Sequence, residues 1–170
     1  KSKLKNSPQD VNLLLNLGDL YVKSGDDNQA QPYFQSVLGF DPNNVKALNN
    51  LGAIYRRQKK YDESIAVLEK AVLVNEDSTQ VFYNLGFTYK IMGKNEDAID
   101  CFNTVIDQNP KDVLAYNHLG SIYLVQEKYQ EAINNFLKGL KIDPNHPILH
   151  LNLADAYDRV GDYNKSAQEY

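Results

Sequence analysis

The chain has 170 residues, a net charge of −4 and a hydrophobic content of 42 %. This composition argues against a disordered chain and against a nucleic-acid binder, which normally carries a basic excess. No apolar run reaches the ~20 residues that a membrane-spanning helix needs, so membrane insertion is not expected. The single cysteine, Cys101, excludes an intrachain disulfide and leaves the compartment open, with the cytoplasm slightly favoured.

One seven-residue phrase recurs five times, each copy beginning 34 residues after the last. A fixed interval of this length indicates an array of structural repeats. We number each repeat from position 1, with repeats beginning at residues 11, 45, 79, 113 and 147. The phrase is LNLGDLY (15–21), NNLGAIY (49–55), YNLGFTY (83–89), NHLGSIY (117–123) and LNLADAY (151–157).

Each repeat predicts two helices. Positions 4, 7, 8 and 11 carry apolar or small residues and lie on one face of a first helix; positions 20, 24, 27 and 28 do the same on a second. The predicted first helices span residues 11–24, 45–58, 79–92, 113–126 and 147–160. The predicted second helices span residues 28–40, 61–74, 95–108 and 129–142, with a partial one from 163.

Turn residues separate the predicted helices. SGDD (24–27), MGKN (92–95) and VGDY (160–163) fall between the two helices of a repeat. DPNN (41–44), NPKD (109–112) and DPNH (143–146) follow the second helix, where Pro ends the helix and a polar residue can cap the next one. Each repeat is therefore a helical hairpin, and hairpins must stack because one alone cannot bury its apolar face.

These positions resemble the tetratricopeptide repeat family, whose pattern is Leu-Gly at positions 7 and 8, Tyr at 11, Ala at 20, Phe at 24 and Pro at 32. The resemblance covers residues 11–170. It implies an all-α fold: a tetratricopeptide-repeat solenoid of antiparallel helical hairpins that forms a right-handed superhelix. Position 11 is Tyr in every repeat: Tyr21, Tyr55, Tyr89, Tyr123 and Tyr157.

The resemblance divides the chain into repeats at 11–44, 45–78, 79–112 and 113–146, with a truncated fifth at 147–170. Residues 1–10 match positions 25–34 of a preceding repeat. We therefore expect a fragment of a longer array. Its ends would expose apolar surface and favour self-association.

In the family, first helices line a concave face, and position 6 projects into it. Carboxamide side chains can donate to a peptide carbonyl and accept from a peptide N–H. The row at position 6 is similar to the asparagine ladder of the O-linked N-acetylglucosamine transferases. The alternative is that Asn is simply common at this position. The row consists of Asn16, Asn50, Asn84, His118 and Asn152.

Positions 5, 9 and 12 are also expected to face the groove. Tyr83 and Phe87 predict an apolar patch there; the alternative is that the next repeat covers these rings. Position 12 adds Arg56, Lys90 and Leu124, and position 5 holds Leu15, Asn49, Tyr83, Asn117 and Leu151. Position 5 never holds Lys and position 9 never holds Asn, so the family's clamp for a C-terminal carboxylate is not expected.

No motif in the chain predicts catalysis, a metal site or a cofactor. His146 and His150 stand four residues apart, but they fall in an inter-repeat turn and at a bulky core position. The resemblance implies a non-catalytic scaffold that binds a partner protein or an extended peptide. Two alternatives stay open: a substrate-recruiting arm of a larger enzyme, such as an O-linked glycosyltransferase, and a self-assembling structural subunit.

Overall fold

The described part of the chain is built from ten α-helices. The structure, a computed structural model, describes residues 8–169 and the side chains of residues 11–169. No β-strand occurs in this range. The helices are α1 (Pro8–Lys23), α2 (Asp27–Phe40), α3 (Val45–Arg57), α4 (Tyr61–Val74), α5 (Thr79–Ile91), α6 (Asn95–Gln108), α7 (Val113–Val125), α8 (Tyr129–Ile142), α9 (Pro147–Arg159) and α10 (Tyr163–Glu169).

The observed helices confirm the predicted ones. α3, α5, α7 and α9 begin at the predicted residues, and each ends one residue early. α1 begins at Pro8, three residues before its predicted start. The repeat boundaries stay a prediction. So does the assignment of residues 1–10 to a preceding repeat, because residues 1–7 lie outside the described range.

The chain divides after Thr88, within α5, into two compact units. We call the described residues up to Thr88 the first unit and those from Tyr89 onward the second unit. Each has its own buried apolar residues, so each is described by itself.

In the first unit, glycine allows α1 and α2 to pack closely. A Cβ added to Gly18 would lie 2.6 Å from Cζ of Phe34, whose side chain is fully buried. Leu15, Phe34 and Leu51 belong to one apolar cluster. The groove assignment of Leu15 is therefore wrong. This leucine is 8 % exposed because its apolar side chain completes that cluster.

The second unit repeats the same arrangement. A Cβ added to Gly120 on α7 would overlap the ring of Phe136 on α8. Gly139 on α8 makes the matching approach to the next hairpin, where an added Cβ would lie 2.7 Å from Leu149 on α9. Ala154, which replaces Gly at position 8, is fully buried, and its small side chain still fits at that position.

The turns within the hairpins all place one residue in the left-handed region. Glycine occupies that position in the three turns with a predicted signal. In the other two, Lys59 has φ 61° and Glu127 has φ 60°. A non-glycine residue there is disfavoured by roughly 1–2 kcal/mol, so these two turns each carry that cost.

Side-chain caps begin several helices, as the turn residues predicted. Asn44 Oδ1 accepts the Ala47 N–H at 3.1 Å, and Asp112 Oδ1 accepts the Ala115 N–H at 2.9 Å. Each cap satisfies a backbone donor that would otherwise lack a partner at a helix start. These caps fix where α3 and α7 begin and so hold the register of the side chains that follow.

Candidate functional site

The candidate site is the first-helix face of each unit, by which we mean the side chains at positions 5, 6, 9 and 12 of the first helices in that unit. The position 6 residues differ in exposure. Asn16 is exposed, while Asn50, His118 and Asn152 are half-buried. Asn84 is only 6 % exposed. The predicted row is therefore present in the sequence but is not equally accessible in the structure.

In the first unit, Asn84 joins two consecutive first helices. Its Nδ2 donates to Oδ1 of Asn49 on α3 at 2.8 Å. Its Oδ1 accepts from Nη1 of Arg56 at 3.2 Å. We call the Asn49–Asn84 pair the first amide bridge. Because both ends of the Asn84 amide are engaged, this residue orients its neighbours.

The second unit contains an equivalent pair, the second amide bridge. Asn152 on α9 donates through Nδ2 to Oδ1 of Asn117 on α7 at 2.7 Å. Both bridges join position 5 of one repeat to position 6 of the next. The sequence analysis placed Asn49 and Asn117 in the groove but did not pair either of them with position 6 of the next repeat. The signal was available as an Asn at position 5 followed by an Asn at position 6 of the next repeat.

Where position 5 holds a leucine, the next amide finds another partner. Asn50 Nδ2 donates to Oδ1 of Asp19 at 3.0 Å, and the same carboxylate pairs with Lys46 at 2.5 Å. Leu15 offers no acceptor, so Asp19 at position 9 takes that role. Asn50 remains half-buried, with one amide N–H and its carbonyl oxygen available for further bonds.

Arg56 is held against an aromatic ring. Its guanidinium carbon lies 4.5 Å from the centroid of the Phe87 ring, a cation–π contact. Arg56, Tyr83 and Phe87 are all half-buried. Burial lowers the pKa of Arg56 and the neighbouring Arg57 lowers it further, while Tyr83 opposes both. The guanidinium stays charged, because arginine does not deprotonate in proteins.

In the second unit, a second cation lies beside a stacked histidine. The His118 ring stacks on Phe102 with centroids 4.9 Å apart, and its Nδ1 lies 3.4 Å from Nζ of Lys90. Burial lowers the pKa of Lys90. Leu124 packs against the apolar cluster around Phe136. Of the predicted site residues here, His118 and Lys90 are in contact, and Leu124 contributes to the core.

No metal centre or membrane span appears in the residues that the structure describes. No group of three or more His, Cys, Asp or Glu side chains there could hold a metal ion. His150 instead contacts Glu169 and the Pro144 carbonyl. None of the described helices is both long and apolar enough to cross a bilayer.

Family models match most of the chain. The model described as the C-terminal ARM domain of tetratricopeptide repeat protein 21 matches residues 9–113. The chain belongs to the tetratricopeptide repeat family. Two further models, described as TPR repeat and tetratricopeptide repeat, match residues 120–161 and 101–134. The expected all-α tetratricopeptide-repeat fold is thereby confirmed, and membership indicates a role in protein–protein interaction.

Solved structures share this fold. A crystal structure of MamA protein is 26 % identical, with a TM-score of 0.84, and the match covers 96 % of this chain and 89 % of that one. A tetratricopeptide repeat protein from Parabacteroides merdae is 25 % identical, with a TM-score of 0.82, covering 95 % and 64 %. PilF of Pseudomonas aeruginosa is 21 % identical, with a TM-score of 0.87, covering 95 % and 74 %, and shows the fold alone. No curated protein sequence matches the chain.

Proposed function

We propose that this chain is a non-catalytic scaffold that binds an extended segment of a partner protein on its first-helix face. The observation that carries the proposal is the first amide bridge with Arg56 and Phe87 beside it. Arg56 keeps N–H donors beyond the one that Asn84 accepts, and it adjoins the Phe87 ring, which can contact an apolar side chain of the peptide. Protein interfaces combine these two features: aromatic anchors and a polar surround.

The proposed roles follow from the contacts of each residue. Asn50 in the first unit and Asn152 in the second each have amide capacity left after their internal bonds, and each would hold peptide backbone within its own unit. Asn16 is exposed and would do the same. Asn84 would orient Arg56. Tyr83 and Phe87 would contact an apolar side chain of the peptide. In the second unit, the peptide would contact Lys90, His118 and Leu124.

The test is a library of short peptides, acetylated and amidated at their ends, presented to the purified chain. Peptides that bind should adopt an extended conformation, and one bound peptide should compete with another for the same face. A Ser36→Ala variant is the control, because Ser36 bonds the Pro32 carbonyl on α2 and lies outside the first-helix face. Retention that survives variants of the first-helix face, or that is lost in S36A, would place binding elsewhere.

An alternative makes the same face the substrate-recruiting arm of a larger enzyme. The amides at Asn50 and Asn152 favour it to the same extent, because backbone recognition suits substrates as well as scaffolded partners. A catalytic domain next to this chain in a longer protein would support this alternative. Modification of the retained peptides by that longer protein would then be expected.

A second alternative is self-assembly. The apolar side chains of Ile148, Leu151 and Tyr163 are 54 %, 56 % and 70 % exposed. Exposed apolar groups of this kind favour association between copies. Light scattering over a range of concentrations tests this, and a constant monomer mass would exclude it.

A further inference from the structure

The side chain of Arg56 is fixed in place before any ligand arrives. Asn84 accepts one guanidinium N–H, and Asn84 is itself held by Asn49. The Phe87 ring covers the guanidinium at 4.5 Å. A guanidinium has five N–H donors, so most remain for a further partner. Holding a long side chain in advance lowers the entropy that binding would otherwise cost.

No carboxylate pairs with Arg56 among the side chains of residues 11–169. Its chain neighbour shows what a satisfied arginine looks like here. Arg57 makes two parallel bonds to Asp27, at 2.6 Å and 2.5 Å. A half-buried cation without an anion is unfavourable, because part of its hydration is lost without a compensating charge. An incoming anion would supply that charge.

The geometry points to Arg56 as the receptor for an aspartate or glutamate side chain of the bound peptide. The inference rests on the proposed function and adds the chemistry of one ligand residue to it. A carboxylate would accept two N–H bonds from the planar guanidinium, as Asp27 does from Arg57. Tyr83 and Phe87 border this position, so an apolar residue of the peptide would lie next to the acidic one.

The charge of the site favours a carboxylate over a phosphate group. Arg56 brings a single positive charge, and Arg57 is already paired with Asp27. A phosphorylated side chain carries close to two negative charges at neutral pH and is usually met by several cations. One fixed guanidinium therefore matches a singly charged carboxylate.

The test uses pairs of capped peptides that differ only by Glu or Gln at one position, measured by calorimetry. The wild-type chain should bind the Glu peptide about tenfold more tightly, the effect of a typical charge-assisted hydrogen bond. Arg56→Gln should reduce the preference to below about twofold, since Gln can still donate to Asn84 but carries no charge. Arg57→Gln removes the same charge from the neighbouring residue, which is paired with Asp27 and lies outside the first-helix face, and should keep the tenfold preference.

Circular dichroism should show that these variants stay helical. If R56Q unfolds, Arg56→Lys replaces it and should lose most of the preference, because an ammonium cannot form two parallel bonds. Peptides bound without preference for Glu would overturn the inference and leave the proposed function intact. Three other results would also overturn it. Phosphoserine peptides or uncapped Gln peptides could bind more tightly than the capped Glu peptide, or the Glu preference could survive R56Q. No binding of any peptide would overturn the proposed function itself.

Discussion

The two amide bridges have the same register but different surroundings. Each joins position 5 of one repeat to position 6 of the next, at 2.8 Å in the first unit and 2.7 Å in the second. Position 12 beside the first bridge is Arg56, which bonds the bridging amide. Position 12 beside the second is Leu124, which packs against the core.

The positions that follow the bridges differ in the same way. Tyr83 and Phe87 occupy positions 5 and 9 next to the first bridge, whereas Leu151 and Asp155 occupy them next to the second. Asp155 is paired with Arg159 at 3.3 Å. The bridge thus belongs to the scaffold, and the residues around it decide which ligand chemistry each unit accepts.

Both units depend on the same close helix packing at a glycine. Gly18→Ala and Gly120→Ala should each reduce the free energy of unfolding by about 1–3 kcal/mol, since the added methyl group meets Phe34 or Phe136. Gly39→Ala is the control: nothing lies within 4 Å of its added Cβ, and alanine favours the helix. Chemical denaturation measures all three. A tolerated change in one unit only would break the comparison.

Removing the aromatic ring at position 9 of the first unit should lower peptide affinity, whereas changing the same position in the second unit should not. Phe87→Ala should cost on the order of 2 kcal/mol in binding a peptide with an apolar residue, as expected for a buried aromatic anchor. Asp155→Ala, at the same position beside the second bridge, should change that affinity little. Calorimetry gives both values, with circular dichroism to confirm helix content. If F87A unfolds the chain, the ring belongs to the core and its assignment to the binding face fails.

Breaking either amide bridge should lower the unfolding free energy by a similar amount, but only the first bridge should affect the preference for Glu peptides. Asn49→Ala and Asn117→Ala each leave an amide N–H without its acceptor and should cost about 1 kcal/mol of unfolding free energy. Only N49A should also weaken the Glu preference, because Asn84 then holds Arg56 less firmly. A similar loss of selectivity in N117A would mean that the effect is general loosening.

The stability of the second unit should depend on pH through His150. The pKa of His150 is raised because its ring donates to the Pro144 carbonyl and then because it bonds Glu169. A raised folded-state pKa means that the stabilisation is full below the unfolded pKa of about 6.5 and is lost as pH rises through the folded value. Both side chains are partly exposed to solvent, so the effect should stay within about 0.2–1 kcal/mol.

The readout is the difference between the wild-type chain and the His150→Gln variant, which removes the pH effects that both share. The loss of melting temperature caused by His150→Gln should be larger at pH 5.5 than at pH 8.5. An equal loss at both pH values would show that the Glu169 contact does not depend on the histidine charge.

The helices were predictable because their signals are local and repeated. Apolar spacing, proline and glycine placed α3 to α9 within a residue of their observed ends. The partners of the binding-face side chains were not predictable in the same way. Asn84 is buried because Asn49 and Arg56, from the preceding repeat, converge on it. Leu15 is core because of apolar residues outside its own helix. Such contacts depend on which side chains of neighbouring helices meet. The position of a residue within its own repeat does not specify these partners.

The side-chain Nε–H signals of arginine in an NMR titration test most directly whether Arg56 receives an acidic side chain. The chain has three arginines, and two are already paired: Arg57 with Asp27 and Arg159 with Asp155. Addition of the capped Glu peptide should shift the Arg56 signal to saturation and leave the other two in place, whereas the Gln peptide should shift it less. A stationary Arg56 signal while the peptide demonstrably binds would contradict the claim.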